Sequence, residues 1–164
     1  MSDAVAVRPA TRGDCALLVE MMRELAEFEQ LLDIFQTTEQ RLDDALFGER
    51  PCAEALIGEV HGAAAGYAVF FTTFSTFVAQ PGIWLEDVYV RPDHRRAGVA
   101  TALLSAVAAR VLERGEGRLE FSALDWNERA LDFYDGLGAE VLGDWLMLRM
   151  TGEPLRRLAA GASA

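Results

Sequence analysis

At 164 residues, 51% of them hydrophobic and 25% charged, the chain has the size and composition of one ordinary globular domain, which excludes an extensively disordered or fibrous protein. Its 26 acids face 15 basic residues, all of them arginine, and the resulting net charge of -11 argues against nucleic acid or an anionic membrane as a partner. No apolar run approaches the roughly 18 residues of a membrane span, and the N-terminus has no basic start followed by an apolar stretch. A soluble, cytoplasmic protein is therefore expected. Two isolated cysteines, Cys15 and Cys52, and two separated histidines, His61 and His94, leave little material for a metal site or a Ser-His-Asp triad, so no metal is expected.

In chain order, "AVAVRPA" reads as an opening strand, and Thr11 with an acid three residues on resembles a capping box. Leu18, Met21, Met22, Leu25, Phe28 and Leu32 recur at helical spacing and predict an amphipathic helix over 14–32. Thr37 and Gln40 look like the cap of a second, shorter helix ending near Phe47. "AEALIGEV", the turn "HG" and "AAAGYAVFFTTF" fit an antiparallel hairpin.

After the loop "STFVAQPG", the run Ile83 to Val90 within "GIWLEDVYVRP" reads as a buried strand, yet it carries two adjacent carboxylates, Glu86 and Asp87. Strict alternation predicts that they point to opposite faces, Glu86 with Trp84 and Val88, Asp87 with Leu85 and Tyr89. "GVATALLSAVAARVLERG" is a strongly apolar helix with Gly115 placed to stop it. A strand "RLEFSAL", a helix "NERALDFYDGLG", and short strands around "AEVLG" and "WLMLRM" complete the pattern. The order β-α-α-β-β-β-α-β-α-β-β describes an α/β domain with a mixed, mostly antiparallel sheet flanked by helices, over 1–152, with a C-terminal tail at 153–164.

The turn "RRAGVAT" joins the buried strand to the long helix. Gly98 lets backbone approach a ligand, Ala97 and Ala100 keep the surface low, and helix-start N–H groups beside Arg95 and Arg96 suit an anion such as a diphosphate. On letters alone it is equally a plain strand-to-helix turn with solvated arginines. A Walker A loop needs a lysine, which the chain lacks, and the G-x-G-x-x-G fingerprint is also absent.

"VYVRPDHRRAGVATALL" resembles the signature of the GNAT superfamily of N-acetyltransferases, with Arg95, Gly98 and Ala100 at its defining places. "VRPATRGDC", "RELAEFEQL", "FGERP", "WLEDVYV" and "LDWNERALDFYDGLGAEVL" extend the likeness over nearly the whole chain, toward the diamine acetyltransferase branch and its members acting on thialysine. The resemblance implies acetyl-coenzyme A as co-substrate. It would be held by the backbone of Val88, Tyr89 and Val90, by the turn Arg95, Arg96, Ala97, Gly98, Val99, Ala100 and Thr101, and by Asn127, which on letters alone is equally a helix N-cap.

The resemblance also implies that Glu86 is the general base, directly or through water, and that Tyr134 is the acid to the leaving thiolate. The plain alternatives are an acid satisfied by the fold and a packing tyrosine. Glu29, Phe28, Asp87 and Trp145 fall on the substrate side, and Asp87 is as readily structural. Phe28 stands where some members have tyrosine, and "FTTFSTF" lacks an aspartate of the polyamine-specific members, so a small amine is expected as acceptor before spermidine or spermine. A homodimer is implied as well. Two other readings remain open here: a silent acyl-coenzyme A binding module, and an acetyltransferase of proteins or peptides.

Overall fold

The computed structural model describes residues 5–161; Ala4 of the expected opening strand and the last three residues of the tail lie outside them. The chain forms two compact units, one ending at Ser122 and the other beginning at Ala123. In the first unit, β1 (Val5–Pro9), α1 (Cys15–Phe28), α2 (Glu39–Phe47), β2 (Glu54–Val60), β3 (Ala63–Ser75), β4 (Gln80–Val90), α3 (Val99–Glu113) and β5 (Leu119–Phe121) follow in order. The five strands lie side by side as β1-β2-β3-β4-β5, antiparallel up to β4 and parallel between β4 and β5. This is the mixed, mainly antiparallel sheet that the strand order predicts.

Local chemistry explains most boundaries. α1 is preceded by the Thr11–Asp14 capping box, whose carboxylate also receives two bonds from Arg8 at 2.8 and 2.9 Å. It ends at Phe28, four residues before the predicted end, because Gln30 takes φ 60° and the Leu31 N–H bonds back to the Ala26 carbonyl. That is a Schellman stop with glutamine in the glycine place, and Leu32 falls in a separate 3-10 turn. α2 is capped by Thr38, not by Thr37, since the Thr38 hydroxyl is the one that reaches the Arg41 N–H, at 3.3 Å. His61 and Gly62, both at positive φ, make the two-residue turn of the β2–β3 hairpin. The next hairpin is longer than "STFVAQPG" suggests: Ser75 pairs with Gln80, so only four residues, 76–79, lie outside the ladder.

Core packing follows from the sheet's two faces. Tyr67, Val69, Tyr89, Ile57 and Ala55 pack with Leu18 and Met21 of α1 and Leu42 and Leu46 of α2. Phe70 and Gly58 belong to the other face, where Arg110 of α3 lies over the Phe70 ring and Val99 and Leu103 crowd Gly58.

The second unit contains α4 (Glu128–Gly136) and α5 (Gly152–Ala160). The strands expected around "AEVLG" and "WLMLRM" do not form: no strand is present between them among the described residues, and Gly143 N–H to Val141 and Trp145 N–H to Leu142 make tight turns instead. An apolar run supplies β-propensity, but a strand also needs a neighbour to take its N–H and C=O groups, and nothing in the run specifies one. The segment read as a tail carries α5.

Candidate active site

The site begins with an irregularity in β4. Val88 pairs with Ala68 and Asp87 with Val69, but Phe70 pairs with Leu85, so Glu86 is an extra residue with no opposite number on β3. A bulge of this kind breaks strict alternation and re-aims side chains. Paired residues share a face, so Asp87, opposite Val69, lies on the α1–α2 side, whereas Leu85, opposite Phe70, lies on the α3 side. Trp84, opposite Phe71, returns to the side of Asp87. Glu86 accepts a hydrogen bond from the Trp84 indole Nε1–H at 3.0 Å. The expected division of the two acids between opposite faces is thus overturned, and the charge of Glu86 bears on Asp87.

Their environments still differ. Glu86 is exposed, while Asp87 is largely enclosed and accepts a hydrogen bond from the Tyr67 hydroxyl at 3.2 Å. Burial, with the charges of Glu86 and Glu29 added, pushes the Asp87 carboxyl up to about 6 against the opposing pull of the Tyr67 hydrogen bond. Glu29, just past the end of α1, is itself raised by burial. Tyr89 shares this face, but its hydroxyl donates to Glu24 at 3.1 Å, and burial and that carboxylate push it up to about 12. Arg91 completes the group, with Nη2 bonded to Glu24 at 2.8 Å and to Glu20. The Glu24 contacts tie α1 to the end of β4.

On its other side β4 pairs with β5 only from Ile83 to Leu85. From Glu86 to Val90 no strand among the described residues pairs with that edge. Such backbone can take an extended ligand as though it were another strand. The chain then runs through Arg95 and Arg96 to α3. Arg96 is in the left-handed region at φ 67° and Gly98 at φ 85°; space beside Gly98 is open, with no atom within 4 Å of where a Cβ would be. No side chain caps α3, so its leading N–H groups, from Val99 to Thr101, and their dipole are left for an anion. Arg95 lies over the Phe28 ring at 5.3 Å, and its Nε donates to the Val90 carbonyl at 3.3 Å. The first unit therefore brings Phe28, Glu29, Glu86 to Val90 and Arg95 to Thr101 into one neighbourhood.

The remaining expected residues belong to the second unit. Asn127 is the N-cap of α4, its Oδ1 accepting from the Ala130 N–H at 3.2 Å. Tyr134 lies on α4 with its ring 5.5 Å from that of Phe133, and Trp145 is exposed in the segment before α5. Sequence reasoning passed over Tyr67, Trp84, Glu24 and Arg91. A signal existed for Tyr67, since a phenol inside "AAAGYAVFF" must find a partner for its hydroxyl if the strand is buried.

The profile of the acetyltransferase (GNAT) family matches residues 18–139. Thialysine N-epsilon-acetyltransferase of Bos taurus is 36% identical over 166 aligned positions, covering 94% of this chain and 97% of that protein. An L-ornithine N5-acetyltransferase of Arabidopsis thaliana is 27% identical, covering 93% and 86%. Among solved structures, an integron cassette protein from the mobile metagenome of V. cholerae superposes with a TM-score of 0.79 at 23% identity, covering 97% of this chain and 98% of that one, a likeness of fold. Members of the matched family use acetyl-coenzyme A as co-substrate, which the open edge of β4 and the uncapped start of α3 fit. A family profile spanning most of the chain and a relative similar along its whole length agree with the fold, and the chain belongs to the acetyltransferase (GNAT) family as an N-acetyltransferase.

Proposed function

We propose that the protein transfers acetyl from acetyl-coenzyme A to the amine of a small cationic molecule, of the kind named in its thialysine- and ornithine-acetylating relatives. One observation carries this reading: the β4 bulge puts two carboxylates, Glu86 and Asp87, on one side at the point where the strand's outer edge opens. An amine near the ordinary lysine pKa of about 10.4 arrives as an ammonium and must lose a proton before attack. Asp87, with Glu29 nearby, supplies the negative charge that holds the cation, and exposed Glu86 takes the proton, directly or through a water. Phe28 and Trp145 complete the acceptor's surroundings.

The backbone of Val88, Tyr89 and Val90 holds the pantetheine arm. Arg95, Arg96 and the N–H groups from Ala97 to Thr101 hold the diphosphate, and Asn127 is a further coenzyme contact. In the transfer, the amine nitrogen bonds to the acetyl carbonyl carbon, the carbon–sulfur bond breaks, and Tyr134 gives its proton to the departing thiolate. The resemblance to the diamine branch supports a homodimer, which sedimentation can test. The test of the function is incubation with acetyl-coenzyme A and a panel of small amines, polyamines and peptides, read as thiol release. Turnover with a small amine is expected. Coenzyme binding without turnover on any amine would favour a silent binding module, and turnover on peptides alone a protein acetyltransferase.

A further inference from the structure

Tyr67 lies wholly buried on β3, two residue pairs along from Asp87 in the β3–β4 ladder and on the same face. Its ring packs against Tyr89, centroids 6.1 Å apart, and within the cluster formed by Leu18, Met21, Ile57 and Val69. A phenol locked in this way has little freedom, so its hydroxyl is a donor of fixed position. That donor is spent on Asp87 Oδ2, at 3.2 Å. A core made only for packing would be served by phenylalanine, without a hydroxyl that has to be satisfied.

We propose that Tyr67 is a positioning residue for the acetyl acceptor: its hydroxyl holds the Asp87 carboxylate in place beside Glu86, and so sets the receptor for the acceptor's ammonium. The inference rests on the amine reading above and adds to it a residue that does not itself touch the amine. The groups bearing on Asp87 come from three elements: Glu86 on β4, Tyr67 on β3, and Glu29 beyond α1. Tyr89, which donates to Glu24, stands beside Tyr67. Of those bearing directly on Asp87, only Tyr67 favours its ionised form; burial and both glutamates oppose it.

The experiment compares the parent, Tyr67→Phe, and a protein with 3-fluorotyrosine placed at position 67 alone, using the best acceptor from the amine panel. Tyr67→Phe keeps the ring and deletes the donor; 3-fluorotyrosine keeps the size and donates more strongly. For Tyr67→Phe, the acceptor KM should rise roughly tenfold, the scale of a hydrogen bond to a charged group, while the acetyl-coenzyme A KM stays put. The acid limb of kcat/KM for the amine should move to higher pH in Tyr67→Phe and to lower pH with 3-fluorotyrosine. A packing role alone would not move the limb in opposite directions. If the parent turns over and both proteins keep its acceptor KM within twofold with the limb unmoved, the Tyr67 assignment fails and the amine reading stands. If the parent releases no thiol with any amine, both fail. Should Tyr67→Phe not fold, the 3-fluorotyrosine limb decides by itself.

Discussion

The Trp84 indole reaches along β4 to Glu86, its Nε1–H donating to Oε2 at 3.0 Å, and Glu86 is the residue at which the ladder with β3 slips. A carboxylate that takes a proton from substrate gains from a donor that restrains it without neutralising it. Trp84→Phe keeps an aromatic ring and removes the donor. Steady-state kinetics should show kcat reduced several-fold, by about 1 kcal/mol for one lost hydrogen bond, with acetyl-coenzyme A KM unchanged.

Glu86→Gln and Tyr134→Phe should each lower kcat by about 10²- to 10⁴-fold, the usual weight of a general base or acid. Calorimetric titration should find acetyl-coenzyme A affinity preserved in both. Parent-like turnover in either variant would remove that residue from the proton path.

Asp87→Asn should trade function for stability. The folded-state carboxyl, pushed up to about 6, lies above the unfolded value of about 3.9, so keeping it ionised opposes folding. The opposition is absent below about pH 4, grows as pH rises to about 6, and is full above that. The variant should therefore melt higher than the parent at pH 8, by roughly 1–3 kcal/mol of stability, and show no such gain at pH 4. Its acceptor KM should rise. Thermal melts at the two pH values check the sign.

Asp14 has the opposite linkage. The Arg8 guanidinium holds its carboxyl well below the usual carboxylate range, so the stabilisation is present above about pH 4 and is lost as pH falls toward the folded value. Asp14→Asn should destabilise by about 1–3 kcal/mol at pH 7 and by progressively less in acid. Urea melts at pH 7 and pH 3 measure the difference.

Two glycines separate strain from collision. Gly98→Ala meets nothing within 4 Å, but φ 85° would cost an L-residue roughly 1–2 kcal/mol. Weaker acetyl-coenzyme A binding with a small loss of stability is expected. At Gly66 a Cβ would come 2.3 Å from the Tyr89 carbonyl oxygen, so Gly66→Ala must push β3 from β4 and should lower the melting temperature far more.

Much of this was legible along the chain. The "HG" hairpin, the Thr11–Asp14 box, Asn127 at the head of α4 and Gly98 at the head of α3 all depend on a few neighbouring residues, and each is found in its place. The α1 stop was harder, because glutamine at position 30 adopts a conformation ordinarily signalled by glycine. The strands expected after Gly138 failed for the converse reason: apolar composition was present, but pairing is a relation between segments.

By itself the sequence determined the family, the order of elements in the first unit and the identity of the acidic strand, because periodicity, capping and turn chemistry are local. Only the tertiary structure decided where the two acids point. A slip of one residue between β3 and β4 changes which face a side chain occupies, so it brought Asp87 to the side of Trp84 and Glu86. The regular pairing of the same two strands joined Asp87 to Tyr67, twenty positions earlier in the chain. Neither the slip nor that hydrogen bond is written in the letters of "WLEDVYV", since both exist only between strands.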